Sequence, residues 1–89
     1  MTTKELIAKL KADDPKGTRI VIMSRDSEGN GYSPLADIST GAYVADSTWS
    51  GEVGLEELDD EARKEGYTED DVKLPEDGAV PCLVLHPVN

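Results

Sequence analysis

Oxygen-bearing side chains alternate along residues 26–37 in a pattern that partly matches a twelve-residue calcium-binding loop. Acidic or amide side chains stand at loop positions 1, 3, 5 and 12, and Gly31 stands at position 6, where such loops turn sharply. Calcium binds six to eight oxygen ligands, and alternating side chains of this kind can fold around one ion. The pattern predicts a metal site whose ligands are Asp26, Glu28, Asn30 and Asp37.

The same residues depart from the calcium pattern at three positions. Glu28 is longer than the residue usual at position 3, Pro34 occupies position 9, and Asp37 is shorter than the bidentate glutamate usual at position 12. Two other interpretations therefore stay open. Asn30-Gly31 can form the turn of a plain polar connection between two strands, or the loop can contact a partner or a small ligand. Calcium is the one candidate cofactor, and no other is predicted.

Negative charge is concentrated in residues 52–77, which hold twelve acids and three bases, while the rest of the chain holds seven acids and six bases. The simpler interpretation of this acidic block is the solvated side of a surface helix. The functional interpretation is a surface that binds a partner. Its candidate partner-binding residues are Glu56, Asp59, Asp60, Asp70 and Asp71.

A nucleic-acid mimic is the most specific version of that second interpretation. A continuous helix over residues 52–77 would carry one carboxylate per ~3.3 Å, close to the phosphate spacing of a single strand. Gly66 and Pro75 interrupt such a helix, and its acids spread around the helix instead of lining one face. The spacing is therefore weak support for a mimic.

Residues suited to catalysis are few. Cys82 and His86 are the single cysteine and the single histidine, and Cβ atoms four residues apart on a strand lie about 13 Å apart, too far for proton transfer. We therefore predict that the protein is not an enzyme, that Cys82 is a core thiol and that His86 ends a strand. Trp49 and Tyr43 either mark a binding surface or are core or edge aromatics.

The elements that carry these residues follow from the hydrophobic pattern. Thr2 and Glu5 predict a capping box at the start of a first helix, and Gly66 predicts a left-handed end to a second. Four consecutive apolar residues from Ile20 predict a central strand that is covered on both faces and pairs with the last strand. The predicted helices are 2–12 and 55–65, and the predicted strands are 18–24, 37–48 and 79–86. This α-β-β-α-β order predicts an α+β fold, in which one or two helices pack on a mostly antiparallel sheet of three or four strands.

Length and composition exclude several classes of protein. The chain has 89 residues, a net charge of −10 and 37% hydrophobic residues, which predicts a single domain over residues 1–89. No apolar run is long enough to span a membrane, and no signal peptide is recognisable. The negative charge argues against direct binding of nucleic acid. We expect a cytoplasmic protein, and a homo-oligomer stays open.

Three blocks of the sequence resemble small acidic proteins encoded by tailed bacteriophages. They are Thr-Lys-Glu-Leu-Ile-x-x-Leu-x-x-x-Asp-Pro, Ser-Arg-Asp-x-Glu-Gly-Asn-Gly-Tyr-x-Pro-Leu and Ala-Val-Pro-Cys-Leu-Val-Leu-His-Pro-Val-Asn. The Glu-Gly-Asn-Gly-Tyr segment is the most specific of them. The resemblance implies an accessory protein acting in the cytoplasm of an infected bacterium, and it assigns no catalytic or binding residue.

Together these observations predict a non-enzymatic accessory protein that binds a host macromolecule, most simply a host protein, through its acidic surface. Two alternatives accompany it. One is a small-ligand or metal-binding module centred on residues 26–37, and the other is an inhibitor that mimics DNA.

Overall fold

The computed structural model describes residues 1–24 and 31–88 of the chain. Within these residues, four strands form one mostly antiparallel sheet in the order β1-β4-β2-β3. The α+β fold predicted from the sequence is confirmed. The elements are α1 (Thr3–Asp13), β1 (Ile20–Met23), β2 (Leu35–Ala45), β3 (Gly51–Gly54), α2 (Asp60–Lys64) and β4 (Val80–Pro87), with 3₁₀ turns at Glu69–Asp71 and Pro75–Asp77.

The chain divides into two compact units. Unit 1 comprises Met1–Thr40 and Leu83–Asn89, and unit 2 comprises Gly41–Cys82. Strands β2 and β4 contribute residues to both units, so the prediction of a single domain stays a prediction. The buried side chains of unit 1 include Ile38, Leu83 and Val84, and those of unit 2 include Ala42, Ala79 and Cys82.

Helix α1 begins at the predicted cap. The backbone N–H of Glu5 donates to Thr2 Oγ1 at 3.2 Å, which satisfies one of the unpaired amides at the helix start. The Thr2 hydroxyl in turn donates to Glu5 Oε1 at 3.1 Å. The Glu5 carboxylate therefore binds the hydroxyl, not the backbone N–H that a capping box requires. Leu6 and Leu10 are half-buried, as their helical spacing predicts.

Strand β1 is an edge strand, and the prediction that it is central is wrong. Ile20, Val21 and Met23 are 43%, 62% and 77% exposed, and Ile22 is half-buried. Its predicted pairing with the last strand is confirmed, since β4 is its neighbour. The interior strands are β4 and β2. Pro81 lies near the start of β4, where a missing N–H is tolerated.

Strand β3 was not predicted. The predicted strand 37–48 is β2, which ends at Ala45, and the chain then turns back into β3. The two strands pair antiparallel, with Ala42 opposite Gly54 and Ala45 opposite Gly51. Only one apolar residue, Val53, lies in β3, so the strand has no hydrophobic alternation that a sequence pattern could reveal.

Helix α2 is shorter than the predicted helix 55–65. Leu55 does not belong to it, because its backbone bridges to Val72 in a parallel arrangement. The helix begins after Asp59, whose Oδ1 accepts the N–H of Ala62 at 2.7 Å. Its end matches the prediction, since Gly66 has a φ of 99°. The N–H groups of Gly66 and Tyr67 donate to carbonyls of the last turn, which is the Schellman arrangement.

Candidate functional site

Net charge is divided unequally between the two units. Unit 1 contains six acids and six bases in its sequence, whereas unit 2 contains thirteen acids and three bases. Unit 2 therefore carries the whole net charge of −10, and unit 1 is formally neutral. Like charges confined to one small unit produce a strong local negative potential, because the field of each carboxylate adds to that of its neighbours.

Every acidic side chain of unit 2 is exposed. Some of them also stabilise local structure. Asp59 caps α2, Asp71 Oδ2 accepts the N–H of Thr68 at 2.8 Å, and Glu52 forms an ion pair with Lys73 at 3.4 Å. The chain between β3 and β4 thus folds as capped turns that leave the carboxylates in water.

The structure places all five predicted partner-binding residues in unit 2 and on its surface. Asp59 and Asp71 have the capping roles just described, so part of their contribution is structural. Asp60 begins α2, and Asp70 lies in the 3₁₀ turn that Thr68 precedes. Whether these residues bind a partner stays a prediction.

The continuous helix assumed for a nucleic-acid mimic is not formed. Residues 52–77 fold as part of β3, a five-residue helix and two three-residue 3₁₀ turns. The agreement between carboxylate and phosphate spacing depended on one straight helix, so it has no structural basis here.

The turn between β2 and β3 displays Trp49. Its side chain is 77% exposed, so it is not a core residue. Tyr43 is half-buried and lies against β3, because a Cβ on Gly51 would come within 2.5 Å of the Tyr43 ring. A side chain at position 51 would require the Tyr43 ring to move. The two aromatics therefore differ, with Tyr43 supporting the hairpin and Trp49 exposed at its tip.

Of the four predicted metal ligands, only Asp37 lies in the described part of the chain. Asp26, Glu28 and Asn30 lie outside the described part of the chain. Asp37 lies in β2, where its Oδ1 accepts from Lys9 Nζ at 2.7 Å and from the N–H of Ile38 at 2.8 Å. The residues 1–24 and 31–88 contain no group of three or more side chains suited to holding a metal ion. The metal site stays a prediction.

The hydrogen bond with Lys9 holds the pKa of Asp37 below its usual value, with a smaller contribution from the Ile38 N–H. The same contact raises the pKa of Lys9 above its usual value. Both changes favour the charged forms. The pair connects α1 to β2 within unit 1.

Besides the contact of Asp37 with Lys9, β2 makes a second side-chain contact that the sequence did not predict. His86 Nε2 and Ser39 Oγ lie 2.7 Å apart, although 47 residues separate them along the chain. A serine bonded to an imidazole is one part of a nucleophilic site. Asp37, two residues away, accepts from Lys9, and His86 contributes only weakly to the lowered pKa of Asp37, so the described residues do not form a hydrogen-bonded triad. Period two places residues 37 and 39 on one strand face, but no local signal pairs them with residue 86.

An apolar cavity of about 340 Å³ opens in unit 1. Its described lining carries no charged side chain and supplies hydroxyls from Ser24, Tyr32 and Ser33, so it offers apolar contact but no catalytic group. The other lining residues include Met23, Pro34, Leu35, Leu85 and Pro87.

No protein-family model, curated protein or solved structure matches the chain. Within the described residues, no helix is both long enough and apolar enough to cross a bilayer.

Proposed function

We propose that the protein is a non-enzymatic binding protein that attaches to a basic surface of another protein through unit 2. The observation that carries this proposal is the segregation of charge, since unit 2 holds the whole charge of −10 and all its carboxylates are exposed. Charge of one sign over a compact surface accelerates association with an oppositely charged partner and disfavours partners of the same sign.

The chemistry of the partner follows from the sign of that charge. A basic protein surface would gain attraction, whereas nucleic acid, whose backbone is negative, would be repelled. The resemblance to small phage proteins adds the biological context. We propose a host protein as the partner and the cytoplasm of an infected bacterium as the place where the two meet.

The experiment is affinity capture from bacterial lysate at about 0.1–0.15 M salt, where surface charges are only partly screened. One variant combines Asp60→Asn with Asp70→Asn, which leaves the capping residues Asp59 and Asp71 intact. The matched control combines Glu5→Gln with Asp13→Asn in unit 1 and changes the net charge by the same amount.

We expect the captured protein to bind the unit 2 variant roughly 2- to 30-fold more weakly than wild type, as expected for two surface ion pairs of about 0.2–1 kcal/mol each. The unit 1 control should bind like wild type. Equal binding of all three proteins would show that unit 2 is only a solubilising surface.

A further inference from the structure

The turn between β2 and β3 is held by backbone and side-chain hydrogen bonds. The N–H groups of Asp46 and Ser47 donate to the carbonyl of Ser50 at 2.9 and 3.1 Å. The hydroxyls of Ser47 and Ser50 lie 3.0 Å apart, and the N–H of Trp49 donates to Ser47 Oγ at 3.3 Å. The backbone that presents Trp49 is therefore ordered before any partner arrives, which reduces the entropy lost on binding.

Exposed acidic residues flank the turn that carries Trp49. Asp46 precedes the turn and Glu52 follows it, and both side chains are exposed. An apolar core with a polar rim is the usual anatomy of an interface. Tryptophan is enriched among the residues that dominate binding energy, because it buries a large area on few rotatable bonds.

We propose that Trp49 is the apolar anchor of unit 2 and inserts into an apolar recess on a basic protein surface. This proposal rests on the proposed function, and it adds the contact that would give that binding its specificity. The negative charge of unit 2 favours a basic protein as the partner. Nucleic acid and anionic membrane surfaces carry the same sign as unit 2 and would be repelled, whereas a basic protein would be attracted.

The single tryptophan makes the test direct, because all tryptophan fluorescence of the protein comes from position 49. The probe is a short peptide that alternates lysine with leucine. A peptide of equal length that alternates lysine with serine has the same charge and no apolar side chain. We expect the first peptide to shift the emission to shorter wavelength and to protect Trp49 from acrylamide quenching, and the second to do neither.

Affinities measured by calorimetry complete the test. Trp49→Ser should bind the lysine–leucine peptide at least tenfold more weakly than wild type, and Trp49→Phe should recover part of the loss. The control is Tyr67→Ser, which removes another exposed aromatic of unit 2 and should bind like wild type.

The outcomes separate this proposal from the proposed function. Weaker binding of both peptides to the Asp60→Asn, Asp70→Asn variant, together with unchanged binding of Trp49→Ser, would overturn the role of Trp49 and leave the acidic surface in place. Failure of both peptides to bind the wild-type protein at low salt would overturn both proposals.

Discussion

Asp37 shows how one side chain can suit two different roles. Its position in the sequence fits the last ligand of a calcium loop, yet its carboxylate oxygen accepts from Lys9 and from the backbone of Ile38. Both partners favour the ionised carboxylate, and the pKa of Asp37 is accordingly lowered. A cation at this position would compete with the ammonium of Lys9 for the carboxylate. The contact with Lys9 therefore gives Asp37 a structural role in unit 1.

That contact predicts a pH-dependent contribution to stability. Because the folded pKa of Asp37 lies below 3.8, the contribution is present above about pH 3.8 and is lost as pH falls through the folded value. The folded pKa of Lys9 lies above 10.5, so the contribution is also lost as pH rises through the folded pKa of Lys9. We expect Lys9→Gln to lower the free energy of unfolding at pH 7.

Urea unfolding between pH 2 and pH 7 measures the effect. The difference between wild type and Lys9→Gln should shrink as Asp37 is protonated. Lys11→Gln removes a lysine from the same helix and should show a smaller, flatter difference. A difference for Lys9→Gln that stays constant down to pH 2 would contradict the contribution of the ion pair.

At the scale of the elements, β1 is the unusual part of the molecule. Its four residues are all apolar, yet the strand lies at the edge of the sheet and three of them are exposed. An exposed apolar edge presents backbone groups and side chains that another strand can pair with, and native proteins commonly protect such edges with charge. Lys16 and Arg19 precede the strand, but no charged residue lies within it.

We expect Val21→Lys to reduce self-association of the purified protein with little change in its melting temperature. Val21 is 62% exposed, so the substitution places a charge on the edge without removing a buried group. Light scattering and size-exclusion chromatography at rising protein concentration measure the effect. Ile7→Lys adds the same charge on the exposed part of α1 and should leave self-association unchanged. Identical behaviour of wild type and Val21→Lys would show that β1 is not a pairing edge.

At the scale of the whole molecule, charge is separated between the two units. Unit 1 is formally neutral, whereas unit 2 carries a charge of −10, so the net charge of the protein is concentrated in unit 2. Repulsion among the thirteen acids of unit 2 opposes its compact folding, and salt weakens that repulsion by shortening the screening distance.

Salt should therefore raise the melting temperature. If screening at about 0.5 M sodium chloride removes about 1 kcal/mol of repulsion, the expected increase is roughly 4–8 °C. The Asp60→Asn, Asp70→Asn variant should melt above wild type at low salt and gain less from added salt. The Glu5→Gln, Asp13→Asn control should gain as much as wild type. A melting temperature independent of salt in all three proteins would contradict self-repulsion within unit 2.

Local signals in the sequence were sufficient for several features of the fold. Thr2 marks the start of α1 and Gly66 the end of α2, since caps depend on a few adjacent residues. Cys82 is fully buried, as predicted for a core thiol. The α+β class followed from the same patterns. The concentration of acids in residues 52–77 was also visible from composition alone.

Features that depend on distant pairing were decided only by the tertiary structure. Four apolar residues predict a strand, but its place at the centre or edge depends on which other strands pair with it. The sequence pattern therefore predicted β1 at the centre of the sheet, whereas it lies at the edge. The pattern also missed β3, whose register is set by its pairing with β2. The contact of Ser39 with His86 and the exposure of Trp49 also depend on pairing between distant parts of the chain. Residue types determine which local structures are favourable, whereas non-local packing determines which surfaces remain in water.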